Sequence, residues 1–136
     1  MTSLITLEEI KAARDALPDV IRRTPILPLS RDSAEVGQEK LFLKAENLQV
    51  TGAYKVRAAF TMMNAIEPER LKNGLVLTSS GNFAQGFAYA GARRGVKVVV
   101  VMLDHTSPYK IQGTEGYGAE VFLCGTDASA RQDIVE

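Results

Sequence analysis

The stretch Val96-Lys-Val-Val-Val-Val-Met102 carries six apolar residues in seven, with no polar alternation. A run this short and this rich in β-branched residues reads as a strand buried on both faces. Strands of that kind belong to parallel sheets, where crossover helices cover the faces. Two further short runs, Leu75-Val-Leu-Thr78 and Glu120-Val-Phe-Leu123, flank it. Between them lie helical stretches, Asn82 to Arg94 and Pro108 to Tyr117. Strands alternating with helices predict right-handed βαβ units and a parallel sheet, hence an α/β fold. A last helix starts at Asp127 and meets no Gly, Pro or turn signal before Glu136. The pattern stops within an element, as expected of a piece of a longer protein.

The first half is less regular. Thr6-Leu-Glu-Glu9 is a capping box, opening a helix to about Ala16, ahead of Pro18. Arg22-Arg-Thr-Pro25-Ile-Leu-Pro28 is expected to be extended, because each proline pushes its predecessor out of the helical region. Leu41-Phe-Leu-Lys-Ala45 predicts a short strand. Gly52 is expected to open a helix through about Ile66, with Val56, Ala59, Phe60 and Met63 on one face. Met62 and Met63 read as core filler.

Composition narrows the function classes. Sixteen basic and sixteen acidic residues give a formal charge of zero, so no basic footprint for nucleic acid is expected. Met1 to Ile10 has two acids and no apolar core of a signal peptide. The longest apolar stretch is far too short to span a bilayer, so no membrane partner is expected. One cysteine, Cys124, excludes an intrachain disulfide, and a reducing cytoplasm is the expected compartment. A single histidine, His105, makes no metal site.

Two segments stand out chemically. Thr51-Gly-Ala-Tyr-Lys55-Val-Arg57 sets a lysine near the start of a helix. The field there disfavours a cation, so a neutral, nucleophilic amine is more available. A solvated surface lysine is the alternative reading. The second segment is Thr78-Ser79-Ser80-Gly81-Asn82-Phe83-Ala84-Gln85-Gly86, between a strand and a helix N-terminus. Free amides and the helix dipole hold anions at such places, and ligands in open α/β sheets bind at the carboxyl ends of strands. A helix capped by serine or asparagine explains the same residue types.

Together the segments resemble the fold-type II pyridoxal-phosphate enzymes, in the branch of serine/threonine dehydratases (threonine ammonia-lyases) and serine racemases. The similarity runs through Arg23-Thr-Pro25, Lys44-Ala-Glu46-Asn-Leu-Gln49, Thr51 to Arg57, Ser79-Ser-Gly-Asn82 and Tyr117-Gly-Ala-Glu-Val121, in order. The resemblance implies a three-layer αβα fold with a twisted parallel sheet, like that of the tryptophan synthase β-subunit, here incomplete. It implies that residues 1–55 are the N-terminal part of a large domain and residues 56–136 most of a small, mobile α/β domain. It implies pyridoxal 5'-phosphate as cofactor, linked through Lys55, which then moves the Cα proton. Tyr54 holds the position of the usual aromatic before that lysine, and Asn82 that of the residue bonded to the ring hydroxyl. Ser79, Ser80, Gly81, Asn82 and Phe83 would grip the substrate carboxylate. Ser80 matches the serine used in racemases on the opposite face.

The implied reaction is dehydration and deamination of a 3-hydroxy amino acid to a 2-keto acid and ammonia, in a full-length homo-oligomer. Racemisation, β-replacement as in cysteine synthase-like relatives, and a non-catalytic α/β fragment remain the alternatives. Two residues depart from the dehydratase pattern: Phe83 stands where a histidine is usual, and Ala58 where a glycine follows the arginine. The family's glycine-rich phosphate loop is absent, since no two of the eleven glycines are adjacent. Without the rest of the large-domain sheet, Val56, Phe60 and Met63 are expected to lie partly exposed, and this chain alone to be inactive.

Overall fold

The computed structural model describes residues 4–28, 41–127, 129 and 134–135. Thr6 caps the first helix, α1 (Leu7–Asp15), as a capping box: its hydroxyl accepts from the Glu9 amide, and its own amide donates to the Glu9 carboxylate. Strand β1 (Ile26–Pro28) pairs antiparallel with β2 (Phe42–Lys44). Two 3₁₀ turns, Glu46–Leu48 and Val50–Gly52, lead into α2 (Lys55–Asn64). A short α3 (Pro68–Leu71) precedes the regular half: β3 (Leu75–Thr78), α4 (Asn82–Arg94), β4 (Val98–Met102), α5 (Pro108–Gly116) and β5 (Glu120–Leu123). The three strands form one parallel sheet in the order β3-β4-β5, as the alternating pattern predicts. The helix read from Asp127 to Glu136 falls largely outside the described residues.

One face of the sheet makes the core. Val98, Val100 and Met102 of β4 are fully or almost fully buried with Ala84, Phe87, Ala88 and Ala90 of α4. Leu75, Leu77, Val121, Ile111 and Tyr117 pack around them, so α4 and α5 cover the same side. Tyr89 and Tyr117 lock the two helices edge to face, with ring centroids 5.6 Å apart. On the other side, Val76 and Phe122 are each 50% exposed, while Val101 is buried.

Three expectations are corrected. Val56, Phe60 and Met63 are not partly exposed. All three are buried, with Ala59, against α4. The reason is the small residues of α4: a Cβ at Gly86 would stand 3.1 Å from the Lys55 carbonyl carbon and from the Val56 backbone. Bare backbone there lets the two helices close without help from any further sheet. Met62, read as core, points away from this contact and is 50% exposed. The third correction concerns the start of α2. It begins at Lys55 and not at Gly52, because Thr51 and Gly52 both have positive φ (66° and 69°) and make a tight turn instead.

An ion-pair network anchors that turn. Arg57 donates from Nε to Glu46 Oε2 and from one terminal nitrogen to Oε1, both at 2.9 Å, and also to the Arg22 carbonyl. Thr24 Oγ1 donates to Glu46 Oε1 at 2.5 Å, and Lys44 Nζ lies 3.7 Å from the same oxygen. The Gln49 amide closes a two-way bridge with the Arg22 backbone, at 3.0 and 2.8 Å. Three separate sequence blocks thus meet at one carboxylate. The Arg57 hydrogen bonds above all, then Thr24 and the charge of Lys44, hold the Glu46 carboxyl at about 2, against burial acting the other way.

Glu46 therefore contributes stability that is fully present above its ordinary value of 4.5 and is lost as pH falls toward about 2. Glu46→Gln is expected to cost about 2 kcal/mol near neutral pH, the cost of leaving a partly buried charged donor set short of its acceptor. In urea titrations the gap between wild type and variant should narrow as pH drops to about 3. A gap that stays constant with pH would contradict the account. Gly86→Val is expected to lower stability by about 2–3 kcal/mol, as forced overpacking does. Gly116→Ala, with nothing within 4 Å of the added carbon, should be neutral or stabilising by up to ~1 kcal/mol. Equal effects at the two glycines would rule out the close α2–α4 approach.

Candidate functional site

Parallel neighbours β3 and β4 end side by side, with Thr78 opposite Val101. The loop Ser79–Gly81 leaves the first, and residues 103–107 leave the second. Gly81 takes the N-cap position of α4 in an extended conformation, and no side chain caps the helix. The capping alternative is therefore not what these residues do: neither serine nor Asn82 closes the N-terminus. A Cβ at Gly81 would meet nothing within 4 Å, so the space beside the free amides is open. Amides at the start of a thirteen-residue helix suit a carboxylate or phosphate oxygen.

Lys55 is the first residue of α2, and the Gly86 contact brings this end of α2 against α4. Its Nζ lies 5.8 Å from the centroid of the Phe83 ring and 4.9 Å from that of Tyr54. Among the described residues no carboxylate pairs with it. The structure thus joins the two segments singled out in the sequence: Tyr54 and Lys55 from one, Phe83 from the other. Phe83 is fixed in turn by Phe87, edge to face at 4.8 Å. Asn82 stands exposed at the first position of α4, and Ser79, Ser80 and Gly81 are half-buried in the loop before it. The depression of about 360 Å³ between α4 and α5, lined by Gln85, Tyr109 and Tyr117 among others, contains none of these residues.

Some contributors were not picked out in the sequence. Thr106, from the loop after β4, donates its hydroxyl to Ser80 Oγ at 3.1 Å. Its place one loop beyond the apolar β4 run is the signal that would have found it, by the strand-end rule. Thr51 and Thr78 each bury a hydroxyl oxygen with no partner. One lies in the turn before Lys55 and the other at the end of β3. Such an orphan costs about 1–3 kcal/mol until something polar reaches it. A lysine without a carboxylate partner, open helix amides and two unsatisfied hydroxyls fit a polar, anionic, carbonyl-bearing cofactor.

Comparison with known proteins agrees with that chemistry. A catabolic L-threonine dehydratase of Staphylococcus aureus is 35% identical over 122 residues, covering 90% of this chain and 35% of the relative. A serine racemase of Dictyostelium discoideum is 38% identical over 128 residues, covering 94% and 39% respectively. Among solved structures, a threonine deaminase from T.th. superposes with a TM-score of 0.83 at 40% identity, over 96% of this chain and 41% of that one. The chain therefore spans little more than a third of the length of these curated relatives. The family model for pyridoxal-phosphate dependent enzymes matches residues 17–136, nearly everything from the end of α1 onward, and with the α/β fold and this donor set the chain belongs to that family, whose cofactor is pyridoxal 5'-phosphate.

Proposed function

We propose that the full-length protein dehydrates and deaminates a 3-hydroxy amino acid of the serine/threonine type, giving a 2-keto acid and ammonia. The observation that carries this is the meeting of Lys55 with the uncapped Ser79–Phe83 loop, made by the Gly86 contact. Lys55 would hold the cofactor through its amine, with Tyr54 beside it and Asn82 on the ring hydroxyl. The bound cofactor supplies an electron sink for the charge that develops at Cα. Amides and side chains of Ser79, Ser80, Gly81, Asn82 and Phe83 would bind and orient the substrate carboxylate. The freed Lys55 amine takes the Cα proton, and loss of the β-hydroxyl follows. The boundary between a large and a small domain of the whole enzyme falls near Lys55, where the tight Thr51-Gly52 turn leads into α2.

Racemisation is the second reading. It is favoured by Ser80, whose hydroxyl is held by Thr106 and so is available as a fixed proton carrier. The relatives include both a dehydratase and a racemase.

Phe83 bears on substrate choice. Its ring neither donates nor accepts the hydrogen bonds of a histidine, so the substrate side of the site is more apolar. The full-length protein with cofactor is expected to release keto acid from serine or threonine, and the 136-residue chain, without a glycine-rich loop, to release none. Phe83→His should shift the relative kcat/KM among serine, threonine and a bulkier 3-hydroxy amino acid by about tenfold, the scale of a change in one pocket contact. Absence of keto acid would exclude the dehydratase reading, and unchanged ratios would exclude the role of Phe83.

A further inference from the structure

We propose that Thr106 is a positioning residue that aims and supports the Ser80 hydroxyl, a role that rests on the reading of Ser80 as a proton carrier. Thr106 is 7% exposed, and its amide donates to the Leu103 carbonyl at 2.9 Å. That tight turn fixes it at the carboxyl end of β4, beside the loop that follows β3. Its Oγ1 donates to Ser80 Oγ at 3.1 Å. A hydroxyl carries one proton and two lone pairs. With one lone pair of Ser80 taken by Thr106, the Ser80 proton is turned away from Thr106 toward another acceptor.

The consequence is chemical as well as geometric. If Ser80 protonates Cα, its O–H bond breaks, the Cα electron pair forms the new C–H bond, and Oγ keeps the electrons of the broken bond. The oxygen left behind then meets a donor already in place, at no cost of reorganisation. In the opposite direction the same donor eases ionisation of Ser80, so that it can take the Cα proton on its face. Lys55 handles the proton on the other face. Thr106 thus bears on one face of the substrate and not on both, and tilts the protein between simple elimination and exchange of configuration.

The test uses the full-length, cofactor-loaded protein with D- and L-serine in deuterated water. Exchange of the Cα proton reports Ser80 for the D-enantiomer and Lys55 for the L-enantiomer. Thr106→Val is expected to lower the D/L exchange ratio by about tenfold or more, as loss of support to a general acid–base does. It should also move the ascending, acidic limb of the D-serine pH profile to higher pH, since Ser80 then ionises without a donor. Thr106→Ser should restore both. A crystal structure of Thr106→Val, with or without cofactor, should show Ser80 in a changed or split rotamer. Equal losses for both enantiomers with no pH shift, or an unchanged ratio while Ser80→Ala abolishes D-serine exchange, would overturn the role of Thr106 alone. Normal D-serine exchange in Ser80→Ala would overturn the Ser80 reading, and the role of Thr106 with it.

Discussion

Everything that makes this chain a site depends on α4 lying directly on the first turn of α2. A side chain at residue 86 would stand 3.1 Å from main-chain atoms of Lys55 and Val56, which cannot rotate aside. Glycine leaves that space to the two backbones. Val56, Ala59, Phe60 and Met63 then meet the small face of α4 and vanish from solvent. Burial of one such large side chain is worth about 1.5–3 kcal/mol, so this contact is a main source of stability as well as of geometry. Lys55 reaches Phe83 because of it.

The contact would not orient Lys55 if the turn before it were loose. Glu46 prevents that by collecting donors from Thr24 and Arg57, with Lys44 close by, while Gln49 and Arg57 tie down the Arg22 backbone. Arg57 follows Lys55 by two positions, so the ion pair acts within a single helical turn of the candidate cofactor lysine. The blocks Arg23-Thr-Pro25, Lys44 to Gln49 and Thr51 to Arg57 therefore belong together for a physical reason. Much of what they share is support for the turn and not contact with a ligand.

The regular half of the chain was plain in its residues. The valine run of β4, the Asn82–Arg94 helix and the Glu120–Leu123 strand follow from local pattern, because buried parallel strands and Ala/Gly-rich helices leave strong periodic signals. The Lys55 and Ser79–Phe83 segments were legible by chemistry and by resemblance. What escaped was everything set by tertiary contact. Thr51 adopts a left-handed conformation that its type does not announce, which delays α2 to Lys55. The burial of Val56, Phe60 and Met63 depends on Gly86, far along the chain from all three. Thr106 gains meaning only because β4 ends beside β3.

The central claim is that Lys55, and no other lysine, carries the cofactor. Lys44 is occupied, donating to the Thr24 carbonyl at 2.5 Å beside Glu46, and Lys110 is exposed on α5. Borohydride reduction of the cofactor-loaded, full-length protein, followed by peptide mapping, tests this most directly. The account predicts a single pyridoxyl label on Lys55 in the Thr51-to-Arg57 peptide. A label on Lys44 or Lys110 instead would contradict it.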